Sequence, residues 1–147
     1  EKIEYDIDAI SAWQVHTEIE TIYTLLFKIQ KEYNNLISFK YTVVSEIKNN
    51  LLDETKLNHL KYILTECINN TLKHAKNATQ VNCIIEKKRN KIQISIDDDG
   101  SSKVIINTSG MGLLSIQQRV KSMNGKISFN RKNGFNIQII IPIKNKN

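Results

Sequence analysis

Most features that would announce a membrane-embedded, secreted or metal-caged protein are missing from these 147 residues. The longest apolar run, around IIIPI, falls far short of the roughly 20 residues needed to cross a bilayer. The opening EKIEYDIDAI is charged throughout and lacks the apolar stretch of a secretory leader. Only two cysteines occur, Cys67 and Cys83, in no metal-ligand spacing, and reduced thiols suited to the cytoplasm are expected. Basic residues outnumber acidic ones 21 to 15, yet the lysines are scattered and not interleaved with aromatics, which argues against a nucleic-acid surface. There is no internal repeat, no low-complexity tract, and no Ser-His-Asp or Cys-His arrangement. What is present is ordinary for a globular domain: 40% apolar and 24% charged residues, in a length at which a single core buries roughly 68–70% of the unfolded surface.

Periodicity divides the chain. From Ile7 to about Tyr33, the residues Ile10, Trp13, Ile19, Ile22, Leu25, Leu26 and Ile29 recur at threes and fours without Gly or Pro, predicting one long amphipathic helix or two abutting ones. ISFKYTVV alternates as a strand should, NNLLDETK supplies turn and cap residues, and Thr55 with Asn58 precede a second helix running to about Ala75. QVNCIIEK and KIQISID, joined by KKRN, read as a hairpin. After the loop DDDGSSKVIINTSGMG comes LLSIQQRVKSM, with helical spacing through Leu113, Ile116, Val120 and Met123. Asn133-Gly134 then sits between two strand-like runs as a strong hairpin signal. This order predicts an α+β fold, a two-layer sandwich in which about three helices cover one face of a mostly antiparallel sheet of about five strands, preceded by an N-terminal helix.

Three places could carry chemistry. In ILTECINNTLKHAKNA the residues Glu66, Asn70 and His74 stand four apart. Steps of four advance about 400° around a helix, so they form one slowly drifting polar row, either a site or a wet face. In IQISIDDDG the row Ile92, Ile94, Ile96 is continued by Asp98, so a carboxylate stands where the core-facing row ends. It could be a turn residue bonding its own backbone before Gly100, or an acceptor for the exocyclic amine of a purine. In SGMGLLSIQQRV, Gly110 and Gly112 precede a helix and would present backbone N–H groups to an anion, or serve as plain loop residues. This is neither a Walker A loop, since the Lys-Ser/Thr pair is absent, nor a dinucleotide fingerprint, since the third Gly is missing.

Taken in order, E-x-x-x-N-x-x-x-H on a helix, D-x-G at a strand end and G-x-G opening a helix resemble the ATP-binding domain of the GHKL superfamily, which includes sensor histidine kinases and DNA gyrase. GMGLLSIQQRV, with Arg119, is most similar to the short-lid sensor kinases of two-component systems, the NarL-type or DesK-like group. The lid SSKVIINTS is short, as in that group. Ser102, Gln117 and Gly134-Phe135 depart from the usual phrases, the last standing where a Gly-Thr pair is common.

The resemblance implies a Bergerat fold over residues 34–147, with residues 1–33 as the end of the helical dimerisation and linker region. It implies Mg-ATP as the nucleotide, with Asn70 as the metal ligand and Glu66 as the catalytic group near the γ-phosphate. Lys73 and His74 would lie along the phosphates or lid, Asp98 and Gly100 at the adenine, and Gly110, Gly112 and Leu113 at the lid and phosphates. The activity implied is transfer of the γ-phosphate to a histidine on the dimerisation domain, for relay to a response regulator. A homodimer in the full-length protein, a cytoplasmic location and membrane attachment only through segments outside this chain are expected. His16 is not expected to be the acceptor, because Thr17 rather than an acidic residue follows it. A serine kinase of the anti-sigma-factor type, or a module that binds without transferring phosphate, are the alternatives.

Overall fold

The computed structural model describes residues 20–75, 77–100, 111–130 and 135–143. Trp13, His16, the lid at 101–109, Gly110 and the Asn133-Gly134 turn lie outside the described residues. Three α-helices and five strands follow one another: α1 (Ile22–Tyr33), β1 (Ser38–Val43), α2 (Glu54–His74), β2 (Gln80–Lys88), β3 (Lys91–Asp98), α3 (Met111–Ser122), β4 (Lys126–Asn130) and β5 (Asn136–Pro142). The sheet runs β1-β2-β3-β5-β4. Among the described residues only β1 and β2 pair in parallel; the other three pairings are antiparallel. This is the α+β architecture expected from the sequence.

Isoleucine builds the inner face of the sheet. In β3 the residues Ile92, Ile94 and Ile96 point inward and lie opposite Ile141, Ile139 and Ile137 of β5, all of them buried. Stiff β-branched side chains at a spacing of two fill a half-buried pleated surface well. β2 and β3 are joined by Arg89 and Asn90 between the paired Lys88 and Lys91, and Arg89 takes a left-handed φ of 54°.

Each helix contributes an apolar stripe to that face and carries its own stop and start signals. The side chain of Thr21 caps α1 and forms a reciprocal capping box with Thr24. Ile22, Leu25, Leu26 and Ile29 of α1 are at most 3% exposed and share one buried cluster with Phe39, Ile63 and Ile68. The packing therefore joins α1, which lies within the residues 1–33 that the resemblance assigns to the linker region, to the core of the sheet. The Tyr33 hydroxyl ties α1 to α2 by donating to Asn69 Oδ1 at 3.1 Å. Helix α2 starts at Asp53, whose carboxylate accepts from the Lys56 N–H at 2.9 Å. It ends with Lys73 and His74 in its last turn, where positive charge suits the helix dipole. Helix α3 ends in a Schellman arrangement: Asn124 has a φ of 58°, its N–H donates to Lys121 O, and the Gly125 N–H donates to Val120 O.

Candidate functional site

The polar row of α2 splits by environment. Glu66 and Asn70 are half-buried, whereas Lys73 and His74 are exposed at the C-terminal end. Two adjacent asparagines point apart, since neighbours on a helix are separated by about 100°. Asn69 is taken up by Tyr33, and the Asn70 side chain makes no hydrogen bond among the described residues. Above Glu66 sits the start of α3, where Gly112 lies so close that a Cβ there would overlap the Glu66 carboxylate. Leu113, the next residue, is buried at 3% exposure and fixes that turn to the core.

Asp98 ends the inward row of β3 and is 8% exposed. Its Oδ1 accepts from the Gly100 N–H at 2.9 Å, so the local turn bond is made. The Thr71 hydroxyl of α2 lies 3.2 Å from Oδ2 and 3.1 Å from the Cys67 carbonyl, and its single proton can serve either. The Asp98 N–H donates to Phe135 O at 3.2 Å. The carboxylate is thus held by two groups, the Gly100 N–H and the Thr71 hydroxyl, with acceptor capacity on Oδ2 to spare. Thr71 was not singled out from sequence; the available sign was a polar residue on the same helical face as Leu64, Cys67 and Ile68. Gly100 is needed for close approach, because a Cβ would come within 2.9 Å of Ala75 Cβ and 3.1 Å of Ala78 Cβ. The end of α2 and the exit of β3 therefore touch beside the carboxylate.

The flanking acids behave differently. Burial, and then the charge of Asp98, push the Asp97 carboxyl up, against a hydrogen bond from Asn136. Partial burial acts upward on Asp99 too, but hydrogen bonds from the Thr79 side chain and from the Gln80 and Thr79 N–H groups outweigh it and hold that carboxyl low. Burial raises both thiols, Cys83 to about 12, as suits inert core cysteines.

Arg119 lies away from this end. Its guanidinium stacks 3.9 Å from the Tyr62 ring centroid and donates to His59 Nδ1 at 3.2 Å, clamping α3 to α2. Phe135 stacks on Phe129 with centroids 6.0 Å apart. A cavity of about 580 Å³ lies at the opposite pole, bounded by Asn50, Asp53, Lys56, His59, Met123 and Ile143, and contains none of the motif residues. Among the described residues no three His, Cys, Asp or Glu side chains converge as a metal cage, and no helix is long and apolar enough to cross a membrane.

Residues 55–145 match the family model described as histidine kinase-, DNA gyrase B-, and HSP90-like ATPase, and the chain belongs to that family. The sensor histidine kinase YdfH of Bacillus subtilis strain 168 is 30% identical over 100 residues, which are 64% of this chain and 25% of that protein. The chain thus spans about a quarter of the curated relative it matches. The blue-light activated histidine kinase of Erythrobacter litoralis superposes with a TM-score of 0.68 at 17% identity, over 86% of this chain and 47% of that one. The ATP binding domain of PrrB from Mycobacterium tuberculosis gives 0.67 at 20% identity, over 86% and 96%. At these identities the likeness speaks for the fold.

Proposed function

We propose that the chain is the catalytic, ATP-binding part of a sensor histidine kinase, transferring the γ-phosphate of Mg-ATP to a histidine on a helical dimerisation domain. The observation that carries this reading is the buried Asp98 carboxylate, oriented by Gly100 and Thr71 at the pole of the sheet where α2 bears Glu66 and Asn70 and α3 begins. Asp98 Oδ2 accepts from the exocyclic amine of adenine. The Asn70 side-chain oxygen is a hard donor of the kind Mg²⁺ takes; it would hold that ion, which would supply neutralisation of the phosphate charge. Lys73 and His74, exposed one turn on, stand along the phosphates, and the Gly112 and Leu113 N–H groups face them from the helix start.

In the transfer, an imidazole nitrogen of the acceptor bonds to the γ-phosphorus as the bond to the bridging oxygen of ADP breaks. Glu66 takes the proton from the other ring nitrogen, a role worth roughly 10²–10⁴-fold in rate. The phosphate then passes to an aspartate of a response regulator. The full-length protein is read as a homodimer acting in the cytoplasm, and residues 1–33 as the end of its dimerisation and linker region.

The test is to mix the chain with γ-labelled ATP, Mg²⁺ and either a histidine-bearing helical domain or a serine-bearing partner. Acid-labile, base-stable label on the first is expected. Acid-stable label on the second identifies a serine kinase instead, and absence of nucleotide binding identifies an interaction module.

A further inference from the structure

We infer that Gly112 is a positioning residue for Glu66: the space left by its missing side chain is the seat that holds the Glu66 carboxylate. Gly112 is the second residue of α3, in helical conformation that any L-residue adopts, and glycine is among the poorest helix formers. The local backbone gives no reason for it. Its surroundings do, since a Cβ built there would overlap Glu66 Oε2 and lie 3.1 Å from Cδ and 3.4 Å from Cγ. All three nearest atoms belong to one side chain.

A methyl group must displace something. The body of α3 is held by buried Leu113, Ile116 and Val120 and by Arg119 on Tyr62 and His59, whereas the Glu66 carboxyl is the far end of a flexible chain. Gly112→Ala therefore moves the carboxylate and leaves the helices where they are. This inference rests on the proposed role of Glu66 as proton acceptor, and misplacing a reacting group by about 1 Å costs on the order of 10²-fold in rate.

The experiment measures single-turnover transfer from Mg-ATP to the supplied histidine domain for the wild type, Gly112→Ala, Glu66→Gln and the double variant. Gly112→Ala is expected to lower kcat about 10²-fold with KM for ATP within about threefold, and to melt no lower than the wild type. In the Glu66→Gln background the same substitution is expected to add no further loss, because the group it displaces no longer accepts a proton. A Gly112→Ala rate equal to wild type overturns the inference. So does an equal loss in both backgrounds, or a rise in KM alone, which would make the nucleotide rather than Glu66 the group that the missing side chain accommodates. A wild type that binds Mg-ATP but labels no histidine defeats the functional reading itself, and this inference with it.

Discussion

Replacing Asp98 by Asn separates the turn bond this carboxylate makes from the role at adenine proposed for it. An Asn can keep its amide oxygen on the Gly100 N–H, now 2.9 Å from Oδ1, and must then turn its NH₂ toward Thr71. The Thr71 hydroxyl lies 3.1 Å from the Cys67 carbonyl, so it can send its proton there and accept from the amide. Both contacts survive without charge assistance, at a cost to stability of about 1 kcal/mol. Adenine meets a different surface, because its amine now faces a donor where it had an acceptor. Losing a charge-assisted bond costs about 1.5–3 kcal/mol and leaving a buried donor unmade adds about 1–3. Taken together these weaken ATP binding roughly 10²–10⁴-fold. Urea unfolding followed by circular dichroism, together with calorimetric titration of ATP, reads both halves. Affinity within about threefold of wild type would show Asp98 to be a turn residue only. A fall of several kcal/mol in stability would show that the proton exchange at Thr71 does not happen.

The neighbouring asparagines should respond oppositely: Asn69→Ala loses the Tyr33 bond and about 1 kcal/mol of stability while keeping Mg-ATP affinity, and Asn70→Ala does the reverse. Equal effects in denaturation and titration would refute the assignment of the two side chains. For Asp99, whose folded carboxyl is held below the usual 3.8, the stabilisation is present above that value and is lost as pH falls through the folded one. Asp99→Asn should therefore melt lower than wild type near pH 7, with the gap closing as the pH falls through the folded value; a gap independent of pH would exclude the carboxylate as its cause.

The periods of 2 and 3.6 made most of the fold legible before any coordinates. They located Asp98 at the end of an isoleucine row and set Glu66 and Asn70 on one face of α2. What they could not carry is partnership across the chain. Thr71 reads as an indifferent helix residue until its partner Asp98, 27 positions on, is seen beside it. Asn69 and Asn70 are equivalent in sequence until α1 covers one of them. The apolar stripe of α1 has the same spacing whether it faces a sheet or a second helix, so periodicity alone did not tell core from linker. Arg119 and His59 stand 60 positions apart, and local spacing has nothing to say about such a pair.

The parallel pairing of β1 with β2 bears on the order in which the molecule assembles. β2 and β3 are joined by two residues, and a hairpin of this kind closes in about 1–10 μs. Ser38, by contrast, finds Gln80 only once the whole of α2 has crossed between them, and loop closure must be met before such distant contacts reward it. The helix that carries Glu66 and Asn70 is that crossing segment. Partly folded chains can hold most of the sheet while offering neither residue to a nucleotide, so ATP would bind, and by mass action favour, only the chain that has finished folding.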